Sequence, residues 1–392
     1  MRVAIIHPNF SPNVTHKQPW YASYILSRGL SQLGHSVTIF SDTYYGYVSH
    51  DIRVVKVSSS ALRFSIYSLA TVLRKFDAIL YFGNVFSSVF IRRIEKQLKD
   101  KIKLLYISNF FYSMRELRFL SAREFKTHTI HFLASLPLLR DIVSFVNNYN
   151  NLMIIVPSHG IKDSLLQAGV HAHKVLVAPL FFDRKLVSFA PCKVKPIEHC
   201  KDTFVVTYFG SPLSVRGTDT LLKAFRDLIN QRYDNLKLIL LLRVESDTER
   251  KEACRLYKMA KRLGIERNVS FMTHTLSREE LGFYLKNSSI IALPFKIVQS
   301  EPPLTILESL AIGKPLITTT TCGLPSIVPS RCALFSRPAQ HNSLAECIRL
   351  LTENWSLSRK LSKNAKTFIS KLPEPTVFTL FIEDVLLRYT CE

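Results

Sequence analysis

The chain has 392 residues, long enough for two or three domains. At 47% hydrophobic and 21% charged it is an ordinary globular sequence, which excludes a disordered one. The 52 Lys+Arg against 30 Asp+Glu give +22, and the excess is +13 through residue 190 and +9 beyond it, so both halves are basic. Such a balance implies an anionic partner: nucleic acid, an acidic membrane surface or a phosphorylated substrate. No apolar run approaches the roughly 18 residues of a membrane span. The opening MRVAIIHPNF has a single Arg and only a short apolar run, less than a secretory core, so a cytoplasmic location is expected. Seven cysteines with no C-x-x-C suggest neither a disulfide framework nor a zinc site.

In chain order, β-branched runs at 3–7, 36–41, 53–57, 78–82, 104–108, 153–157 and 175–178 alternate with helical patterns such as 18–33, which Gly34 stops. A Pro- and Lys-rich connector follows. The pattern then restarts: strands at 203–209, 236–242, 269–272, 290–294 and 315–319 are separated by helices at 219–231, 249–263, 278–287 and 304–312. This is the signature of βαβ units, and two doubly wound α/β domains facing a cleft are predicted. Boundaries are expected at 1–188, a linker at 189–202, a second domain at 203–370 and a returning helix at 371–392. In such sheets a ligand sits at the carboxyl ends of the strands.

The sharpest local signal is QSEPPLTILESLAIGKPLI, residues 299–317. Pro302 and Pro303 suit a first helical turn, which would leave the amides of Leu304, Thr305 and Ile306 to hold an anion. Glu308 lies about 6 Å further along the axis, placed to accept from ribose hydroxyls while the helix start holds a diphosphate.

Residues 299–328 resemble the nucleotide-sugar signature of retaining GT-B glycosyltransferases, the family 4 or "group 1" type. They carry its Glu (Glu308), its small-residue helix and its Gly313-Lys314-Pro315 before a β run. Segments 26–42, 157–183, 207–225 and 268–295 align with further pieces of that family in order. The resemblance implies a GT-B fold with an acceptor-binding first domain and a donor-binding second one. It implies transfer from a nucleotide-diphosphate sugar with retention, no metal and no other cofactor. The leaving phosphate would itself take the acceptor's proton.

Four departures from the family stand out. Its E-x7-E pattern has Ser300 at the first position, with Glu301 one place out of register, so Ser300 and Glu301 are the candidates at the reacting end. Ser211 follows Gly210 where an Arg is usual, while Arg216 keeps the next basic position. The following strand ends in Leu242-Arg243-Val244 instead of a Gly-rich turn. His16-Lys17-Gln18 stands near the usual Gly-Gly loop, and the chain has just 12 Gly, so side-chain cations would replace backbone approach to phosphates. Donor binding is therefore assigned to Gly210, Ser211, Arg216, Arg243, Leu304, Thr305 and Glu308, and the acceptor side to Lys17 and Asn109.

Residues 110–146 interleave Arg115, Arg118, Arg123, Lys126 and Arg140 with Phe and Leu, a composition suited to an anionic membrane interface and hence to a lipid-linked or glycan acceptor. No nucleic-acid module is present. The alternative to an enzyme is a non-catalytic GT-B binding or partner protein that has lost its donor loop. An epimerase or an inverting transferase would need an acid/base residue in the cleft for which the sequence offers no candidate.

Overall fold

The computed structural model describes residues 1–49, 51–57, 67–83, 92, 98, 101–108, 118–120, 140–189 and 203–388. The first sheet holds β1 (Arg2–Ile6), β2 (Ser36–Ser41), β3 (Gly46–Ser49), β4 (Ile52–Lys56), β5 (Ala78–Gly83), β6 (Ile102–Ile107), β7 (Leu152–Val156) and β8 (Val175–Val177). Its order is β3-β4-β2-β1-β5-β6-β7-β8. All neighbours run parallel except β3, which pairs antiparallel with β4 at the edge. The helices described around it are α1 (Trp20–Gln32), α2 (Tyr67–Leu73), α3 (Arg140–Asn148) and α4 (His159–Gln167). β1 beyond Arg2 and the whole of β7 are apolar because helices cover both faces of a parallel sheet.

The second sheet holds β9 (Phe204–Gly210), β10 (Leu236–Leu242), β11 (Val269–Met272), β12 (Ile290–Ala292), β13 (Leu316–Thr319) and β14 (Ala333–Ser336), all parallel, in the order β11-β10-β9-β12-β13-β14. Around it lie α5 (Thr218–Asn230), α6 (Asp247–Arg262), α7 (Arg278–Lys286), α8 (Leu304–Ile312), α9 (Leu324–Ile327), α10 (His341–Glu353) and α11 (Trp355–Ser370). The strand order reverses direction between β9 and β12, so a crevice opens where their carboxyl ends diverge. A last helix, α12 (Pro375–Arg388), buries Phe378, Ile382, Val385 and Leu386 in the core of the first sheet, beside Val3, Ile5 and Leu80.

Two differences from the sequence reading are local. The edge strand β3 was not predicted; Gly-Tyr-Val-Ser has no buried residue and exists only by pairing with β4. Helix α8 begins at Leu304, with Pro303 as its N-cap, so both prolines precede it. The Ile306 amide donates to the Pro303 carbonyl at 3.0 Å, which removes it from the expected anion-binding set and leaves Leu304 and Thr305. No described helix is long and apolar enough to cross a membrane.

Candidate active site

A cavity of about 310 Å³ lies at the crevice between the two sheets. Its floor is the start of α8, contributing Ser300, Leu304, Thr305 and Glu308. From the carboxyl ends of β9 and β10 come Gly210, Arg216 and Arg243, and β10 also supplies Glu245 through the turn that follows. The junction of β11 with α7 adds His274 and Arg278. The loop after β1 closes the other wall with His16, Lys17 and Gln18. A second, open groove of about 490 Å³ lies between α5 and α10, but its charged groups answer one another: His341 Nδ1 lies 2.7 Å from Asp227 Oδ2, and Arg349 pairs with Glu346.

Local chemistry explains why the cations point inward. Arg216 ends a one-turn 3-10 helix, Ser214–Arg216, capped by Gly217 in the left-handed region at φ 78°. Its guanidinium sits 5.0 Å over the Phe295 ring, which holds the side chain without consuming its charge. The Arg243 amide donates to the Gly210 carbonyl at 2.9 Å, continuing the β9–β10 ladder by one bond, so the side chain emerges at the sheet's lip. Arg278 opens α7 just after Ser277, whose hydroxyl and Glu280 form a reciprocal cap. Arg278 also donates to the carbonyls of Lys185 and Leu186, which ties the helix start to the chain leaving the first domain.

Electrostatics single out Glu308. Burial pushes its carboxyl up to about 7, with Arg278 and Arg243 pulling back. A carboxyl held against its own ionisation by lost water gains from ligand hydroxyls that donate to it. Lys17 forms an ion pair with Glu245 across the cleft, and Arg243 Nε lies 3.8 Å from the same Glu245 carboxylate. Burial, and then the Lys17 charge, lowers the His16 pKa. Three buried polar atoms of the lining, Gln18 Oε1, Arg243 Nε and Thr305 Oγ1, have no hydrogen-bond partner among the described residues. Buried polar atoms are nearly always satisfied in folded proteins, so three orphans around one cavity indicate that it is built for a polar ligand. Among the described residues no three His, Cys, Asp or Glu side chains converge as a metal site would require.

The structure thus brings together Gly210, Arg216, Arg243, Leu304, Thr305, Glu308, Ser300 and Lys17. Three expectations are corrected or fall elsewhere. Ser211 is buried and turned away from the cavity; its hydroxyl donates to Glu249 Oε1 at 2.8 Å, so it does not serve as a donor-binding residue there. Glu301 does not swing into the position of the missing carboxylate. It is 0% exposed and lies outside the cavity, its carboxylate accepting from the Gly323 amide at 2.7 Å and from the Ser158 hydroxyl. Asn109 lies outside the described residues, as does most of the 110–146 segment. Of that segment, Leu120 packs against the buried pair Val215 and Ile297 of the second domain, so this residue serves a domain contact. Sequence reading missed Arg278 and Glu245. The Ser277-to-Glu280 capping pattern at a strand–helix junction was the available signal for Arg278.

Residues 193–368 match the family model described as Glycosyl transferases group 1. A D-inositol 3-phosphate glycosyltransferase from Corynebacterium jeikeium is 29% identical over 126 residues, a stretch covering 32% of this chain and 29% of that protein. Two solved structures resemble the whole chain. Sucrose-phosphate synthase from Thermosynechococcus elongatus has a TM-score of 0.77 at 16% identity, covering 100% of this chain and 99% of that one. Anabaena HepE, solved in complex with UDP and glucose, has a TM-score of 0.72 at 16% identity, covering 99% and 100% respectively. At these identities the likeness establishes the fold: two Rossmann-like domains in a GT-B-like arrangement.

Proposed function

We propose that the chain is a glycosyltransferase that takes a sugar from a nucleoside-diphosphate sugar and passes it to an acceptor lying against the first domain. The observation that carries this reading is the convergence on one cavity of the α8 start, with Thr305 Oγ1, and the Arg216 and Arg243 side chains. The family match of the second domain and HepE's occupancy by UDP support it. In this reading the amides and guanidiniums hold the diphosphate and Glu308 accepts from the ribose hydroxyls. The reaction breaks the bond from the anomeric carbon to the phosphate oxygen and forms one to the acceptor oxygen on the same face. The departing phosphate takes the acceptor's proton. Retention fits a cavity whose two carboxylates, Glu245 and Glu308, are committed to Lys17 and to the ribose, leaving neither as a nucleophile. The guanidiniums supply the positive charge that a metal would bring to the leaving group. Calorimetric titration with UDP and GDP tests the site: Glu308→Ala is expected to weaken nucleotide binding by about 1–3 kcal/mol. Unchanged affinity in a folded variant would remove Glu308 from the site. Binding without donor consumption across a nucleotide-sugar screen would make the chain a non-catalytic binder.

The acceptor is proposed to be membrane-linked, reached by a protein resting on the cytoplasmic face. The support is the charge of +22 and the basic-apolar composition of residues 110–146. Flotation with anionic liposomes should show binding that weakens as salt shortens the electrostatic reach to about 8 Å at physiological strength. Replacing Arg115, Arg118, Arg123 and Lys126 by Gln should release the protein. No flotation at low salt points to a soluble acceptor.

A further inference from the structure

The residue that stands beside the missing family carboxylate has a different task, set by three contacts that cross between the domains. The loop from β12 to α8 belongs to the second domain, yet its Glu301 amide donates to the Ser108 carbonyl at 2.8 Å, directly after β6 of the first. The Ser300 hydroxyl donates to Ser108 Oγ at 2.9 Å. The Glu301 carboxylate takes the Ser158 hydroxyl with one oxygen and the Gly323 amide with the other. Ser158 caps α4 of the first domain, its Oγ accepting from the Ile161 amide at 3.2 Å, whereas Gly323 precedes α9 of the second. One carboxylate therefore bridges a helix start in each domain.

The backbones have made room for it. A Cβ on Gly323 would lie 2.5 Å from Glu301 Oε1, and one on Gly160 would lie 2.7 Å from the Gly323 Cα. α4 and the Gly323 turn meet at a distance that side chains would forbid, with Glu301 sealed inside and 0% exposed. Ser300, one residue earlier, lines the cavity.

We propose that Glu301 is a positioning residue that fastens the donor loop to the first domain, so that the reacting end of the site is set only when the domains are closed. This rests on the transferase reading, in which an acceptor on the first domain must meet a sugar held by the second. What the junction requires is a planar side chain with an acceptor for the Gly323 amide and a polar atom for Ser158. Glutamine meets both needs and alanine meets neither. A carboxylate acting directly in the chemistry would lose its function in the amide, so the two roles separate cleanly.

The test compares Glu301→Gln, Glu301→Ala and Ser158→Ala by small-angle scattering, UDP calorimetry and steady-state kinetics. Glu301→Ala is expected to expand the particle and to lower kcat by about 10- to 100-fold, the loss expected when reacting groups are misplaced by about 1 Å. UDP affinity should stay within about threefold, because the diphosphate contacts belong wholly to the second domain. Ser158→Ala should shift both readouts in the same direction, and Glu301→Gln should restore dimensions and kcat together. The proposal is overturned if Glu301→Gln loses as much kcat as Glu301→Ala while keeping wild-type dimensions, which would make the carboxylate a direct participant. It is equally overturned if Glu301→Ala matches wild type in both. A wild-type protein that transfers no sugar, but whose alanine variant expands while the glutamine variant does not, would defeat the transferase reading and leave the junction standing.

Discussion

Arg216→Ala is expected to lower turnover by about 10²- to 10³-fold, the loss seen when a group stabilising charge in a transition state is removed. The side chain leaves the 3-10 turn at the mouth of the β9–β12 crevice and is braced by Phe295 at 5.0 Å, so it reaches the cavity already ordered. A braced guanidinium presents two parallel donors to phosphate oxygens, and these matter most as the diphosphate gains negative charge on departure. Ground-state binding of UDP should fall less, by about 1.5–3 kcal/mol for hydrogen bonds to a charged group. Arg216→Lys keeps the charge but not the fork and should fall between wild type and alanine. Equal kcat in wild type and a folded Arg216→Ala variant would transfer the role to Arg243 or Arg278, which share the cavity.

A larger effect on stability is expected from Gly217→Ala. Gly217 holds φ 78°, and a Cβ there would stand 1.8 Å from the Pro294 carbonyl oxygen, well inside contact distance. The left-handed conformation alone costs an alanine about 1–2 kcal/mol. The overlap adds about 1–3 kcal/mol as the 3-10 turn or the end of β12 gives way. Scanning calorimetry should show the second domain's midpoint fall by on the order of 10 °C. Gly264→Ala is the control, since Gly264 has φ 69° but nothing within 4 Å of its Cβ position. If both variants fall equally, backbone conformation accounts for the whole effect and the Pro294 contact for none of it.

What could be read from the sequence follows from how local each determinant is. Strands β2, β10 and β11 and helix α8 fall at their expected residues because apolar runs and terminators such as Gly313 act within a few positions. Arg216 and Arg243 follow the carboxyl ends of β9 and β10, and Glu308 lies in the second turn of α8, so the topology alone brings all three to the crevice. Ser211 and Glu301 were misjudged for the opposite reason. The partner that turns Ser211 away is Glu249, 38 residues on, and the one that withdraws Glu301 is Ser158, 143 residues back. A motif places a residue in its own loop; it does not reveal which distant donor will claim its oxygen. Glu245 belongs to the same class, since its partner Lys17 comes from the other domain.

The return of α12 to the first sheet has a consequence for the order of synthesis. Phe378, Ile382, Val385 and Leu386 are buried among Val3, Ile5, Leu80 and their neighbours, so part of that core is encoded after the whole second sheet. The domain that leaves the ribosome first is therefore the last to be closed. Until α12 emerges, the part of that sheet face not covered by α1 is bare apolar surface, while the second domain, whose sheet is continuous in sequence from β9 to β14, already has all its strands. A chain stopped short of α12 would release a finished second domain attached to an unsealed first one.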